Sequence, residues 1–158
     1  MPPIVEISNV VKEYPLGSQI VQALRGINLV IERGEFTTIA GPSGSGKSTL
    51  LNMIGCIDIP TRGEVRVDAQ LTNHLSDRAL TQLRLKKLGF IFQSFNLIPV
   101  LDVYQNVEFP LLLQGGMDGA TRKKTVEDVI EKVGLTQYLR QRPTELSGGQ
   151  RQRVAIAR

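Results

Sequence analysis

Gly41-Pro42-Ser43-Gly44-Ser45-Gly46-Lys47-Ser48-Thr49 is the stretch on which the reading of this chain turns. A glycine, four free positions and then Gly-Lys-Ser is the pattern of a phosphate-binding loop. At a glycine usage of about 7% per position, these residues meet at these offsets by accident in roughly fewer than one chain of this size in a hundred. Phe36-Thr37-Thr38-Ile39-Ala40 ahead of it predicts a short β-strand, and Leu50-Leu51-Asn52-Met53-Ile54 behind it continues a helix. The loop therefore has the strand, turn and helix around it that the motif requires. Glycines at 41, 44 and 46 permit positive φ and close backbone approach, so successive N–H groups turn inward while the new helix points its positive end at the same spot. The expected occupant is a polyphosphate. Lys47 would set its ammonium against the outer phosphates, Ser48 would offer a hydroxyl to Mg²⁺, and Thr49 would add a second hydroxyl contact. A glycine-rich turn with a surface lysine is the bland alternative, and the flanking strand and helix weigh against it.

Working outward, 158 residues allow one ordinary core with a small appended lobe, and 41% hydrophobic with 22% charged residues are globular values. The net charge of +4 suits an anionic ligand or a membrane-facing surface. Basic and aromatic residues are not interleaved and tryptophan is absent, so no nucleic-acid partner is expected. Cys56 is the only cysteine, which excludes an intrachain disulfide and a cysteine-based metal cluster; between Ile54 and Ile57 it reads as a small buried hydrophobe. His74, the only histidine, falls in the polar run Thr72-Asn73-His74 and reads as a loop residue. Met1-Pro2-Pro3-Ile4 opens no secretory signal, and no run approaches the roughly 20 apolar residues of a spanning helix. A cytosolic location is expected, including the inner side of a membrane.

Ile4 to Ile7, Ile20 to Leu24 and Ile27 to Ile31 read as three short strands separated by Pro15, Gly17, Gly26 and Gly34. Tyr14, at a strand end, is either packing or a flat ring on which an adenine stacks. Pro60 to Gly63 reads as a turn, Glu64 to Val67 as a strand, and Ser76-Asp77 as the start of a helix burying Leu80 and Leu83. Leu88-Gly89-Phe90-Ile91-Phe92 predicts a fully buried parallel strand that delivers Gln93 to its carboxyl end. That amide can hold a Mg²⁺ ligand position or a water, or simply face solvent. From Ser94 to Thr144 the pattern turns helical, with breaks expected at Pro99, Pro110 and Gly115-Gly116. Val126, Val129, Ile130 and Val133 form one apolar face; Thr121 is the expected cap and Gly134 the left-handed stop. Leu146-Ser147-Gly148-Gly149-Gln150 then opens a last helix, with Ser147 as cap and first-turn N–H groups bare to an anion. An ordinary glycine-containing turn is the other reading.

Together these residues resemble the nucleotide-binding domain of ABC transporters. Gly41 to Thr49 looks like Walker A, Gln93 like the Q-loop glutamine, and Leu146 to Gln150 matches the signature motif residue for residue. The resemblance implies an α/β fold: a P-loop NTPase core with an N-terminal antiparallel β subdomain (1–93), an inserted α-helical subdomain (94–145) and the signature segment (146–158). It implies ATP and Mg²⁺ as cofactors, with Gly41, Pro42, Ser43, Gly44, Ser45, Gly46, Lys47, Ser48 and Thr49 on the phosphates and Tyr14 on the base. Lys47 and Gln93 take the catalytic positions, and Ser48 and Gln93 face the metal. The family works as a head-to-tail dimer of ATPase subunits, so Ser147, Gly148, Gly149 and Gln150 would meet the nucleotide held by the second copy. An integral membrane permease is the other implied partner, placing the protein on the inner face of the plasma membrane. Phe95, Leu97, Ile98 and Leu101 are the candidates for apolar contact with it, the alternative being that they cover the core of the helical lobe itself.

Gly41 to Asn52, Phe92 to Pro99, Asn106-Val107 and Pro110-Leu111 are similar to the branch of macrolide exporters and lipoprotein-release ATPases. Export or lipoprotein release is the implied function; the alternative is a non-transport regulator resembling the cell-division ATPase of that branch. A DNA-repair or chromosome ATPase is disfavoured by the short lobe between Gln93 and Leu146. Asp68-Ala69 departs from the family, which commonly has glycine after the acidic residue. The sequence also ends at Arg158 before any Walker B segment, so negligible ATP turnover and poor stability are expected of these residues alone.

Overall fold

The structure is a computed structural model describing residues 2–158; Met1 lies outside the described residues. The fold is α/β, and the chain forms two compact units, one up to Gly89 and one from Phe90 to Arg158.

In the first unit, β1 (Val5–Leu16) and β2 (Gln19–Ile31) form a long hairpin, β3 (Arg62–Val67) pairs with β1, and β4 (Gln70–Leu71) pairs with β3. All pairings are antiparallel and the order is β2-β1-β3-β4. The three short strands expected between Ile4 and Ile31 are thus two long ones. Gly26 does not separate strands: Ile27 lies opposite Val10 and Arg25 opposite Val11, so Gly26 (φ 76°) is the extra residue of a bulge inside β2. Side chains alternate across the ladder, and Val5, Ile7, Val10, Val65 and Val67 share a buried face.

Two helices cover that face. α1 (Lys47–Ile54) contributes Leu50 and Met53, and α2 (Asp77–Lys87) contributes Leu80 and Leu83. Ser76 caps α2, its hydroxyl accepting the Ala79 N–H at 3.3 Å, as the sequence predicts. Cys56 is buried in the same cluster, where desolvation pushes its thiol up, and His74 is exposed.

The strands expected at Phe36–Ala40 and Leu88–Phe92 do not form ladders. A strand exists only where a neighbour supplies the other half of each N–H and C=O pair, and among the described residues neither segment has one. Some of their apolar side chains are correspondingly bare, Phe36 being 91% exposed and Ile91 61%, while Ile39 and Leu88 still pack against the core.

Asp68 and Ala69 form the turn between β3 and β4, with φ of 48° and 65°. Asp68 is bonded by Lys87 and Arg33, whose hydrogen bonds hold its carboxyl down to about 2. Ala69 has no such support for its left-handed backbone, which explains why glycine suits this position. Ala69→Gly is expected to raise stability by about 1 kcal/mol, read as a higher denaturation midpoint at unchanged slope.

The second unit holds α3 (Val103–Gln114), α4 (Gly119–Lys132) and α5 (Gly148–Ala157), with single 3₁₀ turns at Thr136–Tyr138 and Pro143–Glu145. Val103, Val107, Val126, Ile130, Leu135, Leu146 and Val154 make its core. α4 starts earlier than expected because Asp118, not Thr121, is the cap, its carboxylate accepting the N–H groups of Ala120 and Thr121 at 3.0 Å. Gly134 (φ 67°) ends the apolar face as predicted. Pro110, expected as a break, lies within α3. The capping box of Asp102 and Gln105 and the buried Val103 and Val107 fix the helix before the proline is reached. Asn106 is fully buried and completely bonded: its carbonyl accepts the Ile98 N–H at 2.8 Å, and its amide donates to Ile98, Leu101 and Asp102 carbonyls. One side chain therefore pins the connection from residue 98 to 102.

Candidate functional site

The phosphate loop of the first unit has the backbone its sequence demands. Gly41, Gly44 and Gly46 have φ of 156°, 79° and 90°, values that side-chain-bearing residues rarely adopt. At Gly46 a Cβ would lie 2.5 Å from the Ala23 carbonyl oxygen and 3.1 Å from Leu24 Cδ2, so glycine there is also the condition for the loop to seat on β2. Gly46 is the residue before α1 and no side chain caps that helix. The N–H groups of Lys47, Ser48 and Thr49 thus open its first turn with no carbonyl of the helix to bond.

A cavity of about 430 Å³ lies between this loop and β2, lined by Ser43, Gly44 and Gly46 to Thr49 on one side and by Val21, Gln22, Ala23 and Arg25 on the other. Its lining carries two cations, Lys47 and Arg25, and no carboxylate. The Lys47 ammonium bridges the loop, donating to the carbonyls of Gly41 at 2.9 Å and Pro42 at 2.7 Å. A lysine held by the loop's own carbonyls, an arginine in the facing wall and a helix start with unbonded N–H groups make a site for a polyanion. A second cavity, of about 380 Å³ in the other unit, is lined by Glu127, Asp128 and Glu131 and has the opposite sign. Arg25 carries no local sequence signal, because only the hairpin register and the packing of β2 on Gly46 bring it to the cavity.

Tyr14 lies on β1 opposite Val21, a residue of the cavity wall. Its hydroxyl donates to Asp58 Oδ2 at 2.9 Å, and the Lys12 ammonium stands 5.0 Å from its ring centroid. Burial first, and then the Asp58 carboxylate, push the phenol above its ordinary value. Burial acts to raise Asp58 as well, but bonds from Lys12, Tyr14 and the Ile59 N–H outweigh it and hold that carboxyl below its usual range.

Gln93 and the Ser147 to Gln150 segment belong to the second unit. Gln93 is exposed in a turn rather than at a strand end. Two residues on, Phe95 and Asn96 have φ of 62° and 48°, and their carbonyls accept hydrogen bonds from Arg158, at the end of α5, at 3.2 and 2.6 Å. At the start of α5, the Ser147 hydroxyl accepts the Gln150 N–H at 3.3 Å and the Gln150 side chain accepts the Ser147 N–H at 2.7 Å, a reciprocal capping box. Gly148 and Gly149 differ from the loop glycines: neither has positive φ, a Cβ at Gly148 would meet nothing within 4 Å, and one at Gly149 only Arg153 Nη1 at 4.0 Å. Nothing among the described residues asks for glycine at these two positions.

Of the side chains expected to meet a membrane partner, Leu97 packs on the core of the second unit, and Phe95, Ile98 and Leu101 are half-buried. The exposed apolar side chains of this unit include Val100, Phe109, Leu112 and Leu113, together with Ile91, Phe92 and Ile156. Among the described residues no helix is long and apolar enough to cross a membrane, and no group of three or more His, Cys, Asp or Glu side chains could hold a metal.

The model of the family described as ABC transporter matches residues 24–158. The uncharacterized ABC transporter ATP-binding protein MJ0796 of Methanocaldococcus jannaschii is 49% identical over 158 residues, covering 98% of this chain and 67% of that protein. Its dimeric post-hydrolysis structure, bound to ADP and Pi, superposes with a TM-score of 0.89 over 97% of this chain and 67% of that one. The lipoprotein-releasing system ATP-binding protein LolD of Saccharophagus degradans is 46% identical over 156 residues, covering 99% of this chain and 68% of LolD. The macrolide export ATP-binding/permease protein MacB of Bordetella avium is 44% identical over 156 residues, covering 99% of this chain and 24% of MacB.

Proposed function

We propose, for a chain that belongs to the ABC transporter family as an ATP-binding domain, that it binds Mg²⁺–ATP in the cavity beneath the phosphate loop and uses it to pair head-to-tail with a second copy. The observation that carries this reading is the cavity itself, lined by two cations, by the glycine-built loop and the start of α1, and by no acid. Lys47 binds the outer phosphates, the loop from Gly41 to Thr49 wraps the rest of the chain of phosphates, and Tyr14 takes the base.

Magnesium suits the donors available. It takes oxygen ligands and keeps several waters, so the exposed Ser48 hydroxyl can serve while phosphates and water fill the remainder; the exposed Gln93 offers an amide oxygen of the same kind. When bound, the ion neutralises charge on the phosphates. Ser147 to Gln150 present a helix N-terminus, and the two glycines that the chain itself does not need leave room for a nucleotide held by the other copy. ATP then closes the pair, because these contacts exist only in the closed state and give it the higher affinity for nucleotide.

LolD and MacB, named for lipoprotein release and macrolide export, support a role as the ATPase that drives a membrane permease in one of those processes. Residues 94–145 act as its helical subdomain, and the work is done on the cytoplasmic face. Affinity capture of the full chain from detergent-solubilised membranes is expected to recover an integral membrane protein in a complex holding two copies of the ATPase. Recovery of the chain alone from both membranes and soluble fraction would count against a permease-bound role.

A further inference from the structure

We infer that Asp58 is a positioning residue for the Tyr14 ring, so that a carboxylate outside the phosphate loop governs how well the nucleotide base is held. The inference rests on the reading of Tyr14 as the base platform.

Lys12 and Tyr14 are two apart on β1 and so project from the same face of the strand. Asp58, in the segment between α1 and β3, divides its two oxygens between them. Oδ1 accepts from Lys12 Nζ at 2.6 Å and from the Ile59 N–H at 2.8 Å, and Oδ2 accepts from the Tyr14 hydroxyl at 2.9 Å. Lys12 is fixed in turn by the Ile59 carbonyl at 2.8 Å. The ring of Tyr14 is therefore held at its hydroxyl end by a carboxylate and along one face by an ammonium 5.0 Å from its centroid. With Lys12 on one face, a base stacks on the other. A tyrosine on a strand otherwise turns about χ1 and χ2, and stacking needs a ring already held in plane. The bond to Asp58 supplies that restraint, and because it is charge-assisted it is stronger than a bond to a neutral acceptor.

A merely structural ion pair between Lys12 and Asp58 would leave the base indifferent, which separates the two roles. Binding of ATP and of inorganic tripolyphosphate, which has no base, is measured for the full chain and for the Y14A, Y14F, D58N and D58N/Y14F variants. Y14A tests the platform reading: ATP binding should weaken about tenfold or more with tripolyphosphate unchanged, as loss of an aromatic stack predicts. No effect on ATP removes that reading and the inference with it.

If Y14A behaves so, D58N is expected to weaken ATP about three- to tenfold with tripolyphosphate held within about twofold, because the tyrosine hydroxyl loses its charged acceptor. Y14F, which keeps the ring and drops only the hydroxyl, should weaken ATP at least as much, and serves if D58N does not fold. Adding D58N to Y14F should cost less than about twofold more, because a ring without its hydroxyl has no bond left for Asp58 to strengthen. Independent, multiplying losses, equal losses for tripolyphosphate, or unchanged ATP affinity in D58N or Y14F would each overturn the positioning role.

Discussion

Lys47→Ala is expected to weaken Mg²⁺–ATP binding by roughly 10- to 150-fold, the effect of removing a charge-assisted contact of about 1.5–3 kcal/mol. The ammonium is the one charge that the loop itself contributes, and it is already held at the mouth by the carbonyls of Gly41 and Pro42. Losing it leaves those two carbonyls in exposed segments where water takes the place of the amine, so the melting temperature should move little. The loss should be large for ATP, smaller for ADP and negligible for AMP, which lacks the outer phosphates. Titration calorimetry with the three nucleotides checks it. Equal weakening of all three would mean that the substitution had collapsed the loop rather than removed a phosphate contact.

Gly149→Ala should give the opposite combination. The residue lies in the first turn of α5 with ordinary helical backbone, and an added Cβ would approach nothing closer than Arg153 Nη1 at 4.0 Å. Alanine is favoured over glycine in a helix by about 0.5–1 kcal/mol, so the protein should be as stable as before or slightly more so. Nucleotide binding at the phosphate loop should be unchanged. ATP-dependent pairing, followed by sedimentation velocity, should be lost, because the methyl group would occupy the space where the helix start meets the other copy's nucleotide. A substitution that raises the melting temperature while abolishing association identifies a surface kept for a partner.

How much of this was legible in the chain follows from what each feature depends on. The phosphate loop was readable because its glycines are demanded by local backbone, and the structure gives φ of 156°, 79° and 90° at those positions. The caps at Ser76 and Ser147 and the stop at Gly134 were readable for the same reason. Gly26 misled because a glycine in a bulge and one that ends a strand look alike until the opposite strand is in register. Phe36–Ala40 and Leu88–Phe92 have strand composition, but a ladder also needs neighbours. Pro110 reads as a break in the sequence because its ring forbids one hydrogen bond, while the packing of Val103 and Val107 that carries the helix past it is a tertiary fact. Arg25, Lys12 and Asp58 were unreadable as site residues, since the hairpin and the loop after α1 bring them to the cavity wall and to Tyr14 only in the folded chain.

In the proposed pair each nucleotide lies between the phosphate loop of one copy and the Ser147 to Gln150 turn of the other. Mixing Lys47→Ala chains with Gly149→Ala chains in Mg²⁺–ATP tests it most directly. Neither variant should pair by itself, but together they retain one intact site, made from the phosphate loop of the Gly149→Ala chain and the helix start of the Lys47→Ala chain. A mixed pair carrying a single ATP is the expected result in sedimentation and nucleotide counting. A mixture that stays monomeric, or Gly149→Ala chains that pair unaided, would contradict it.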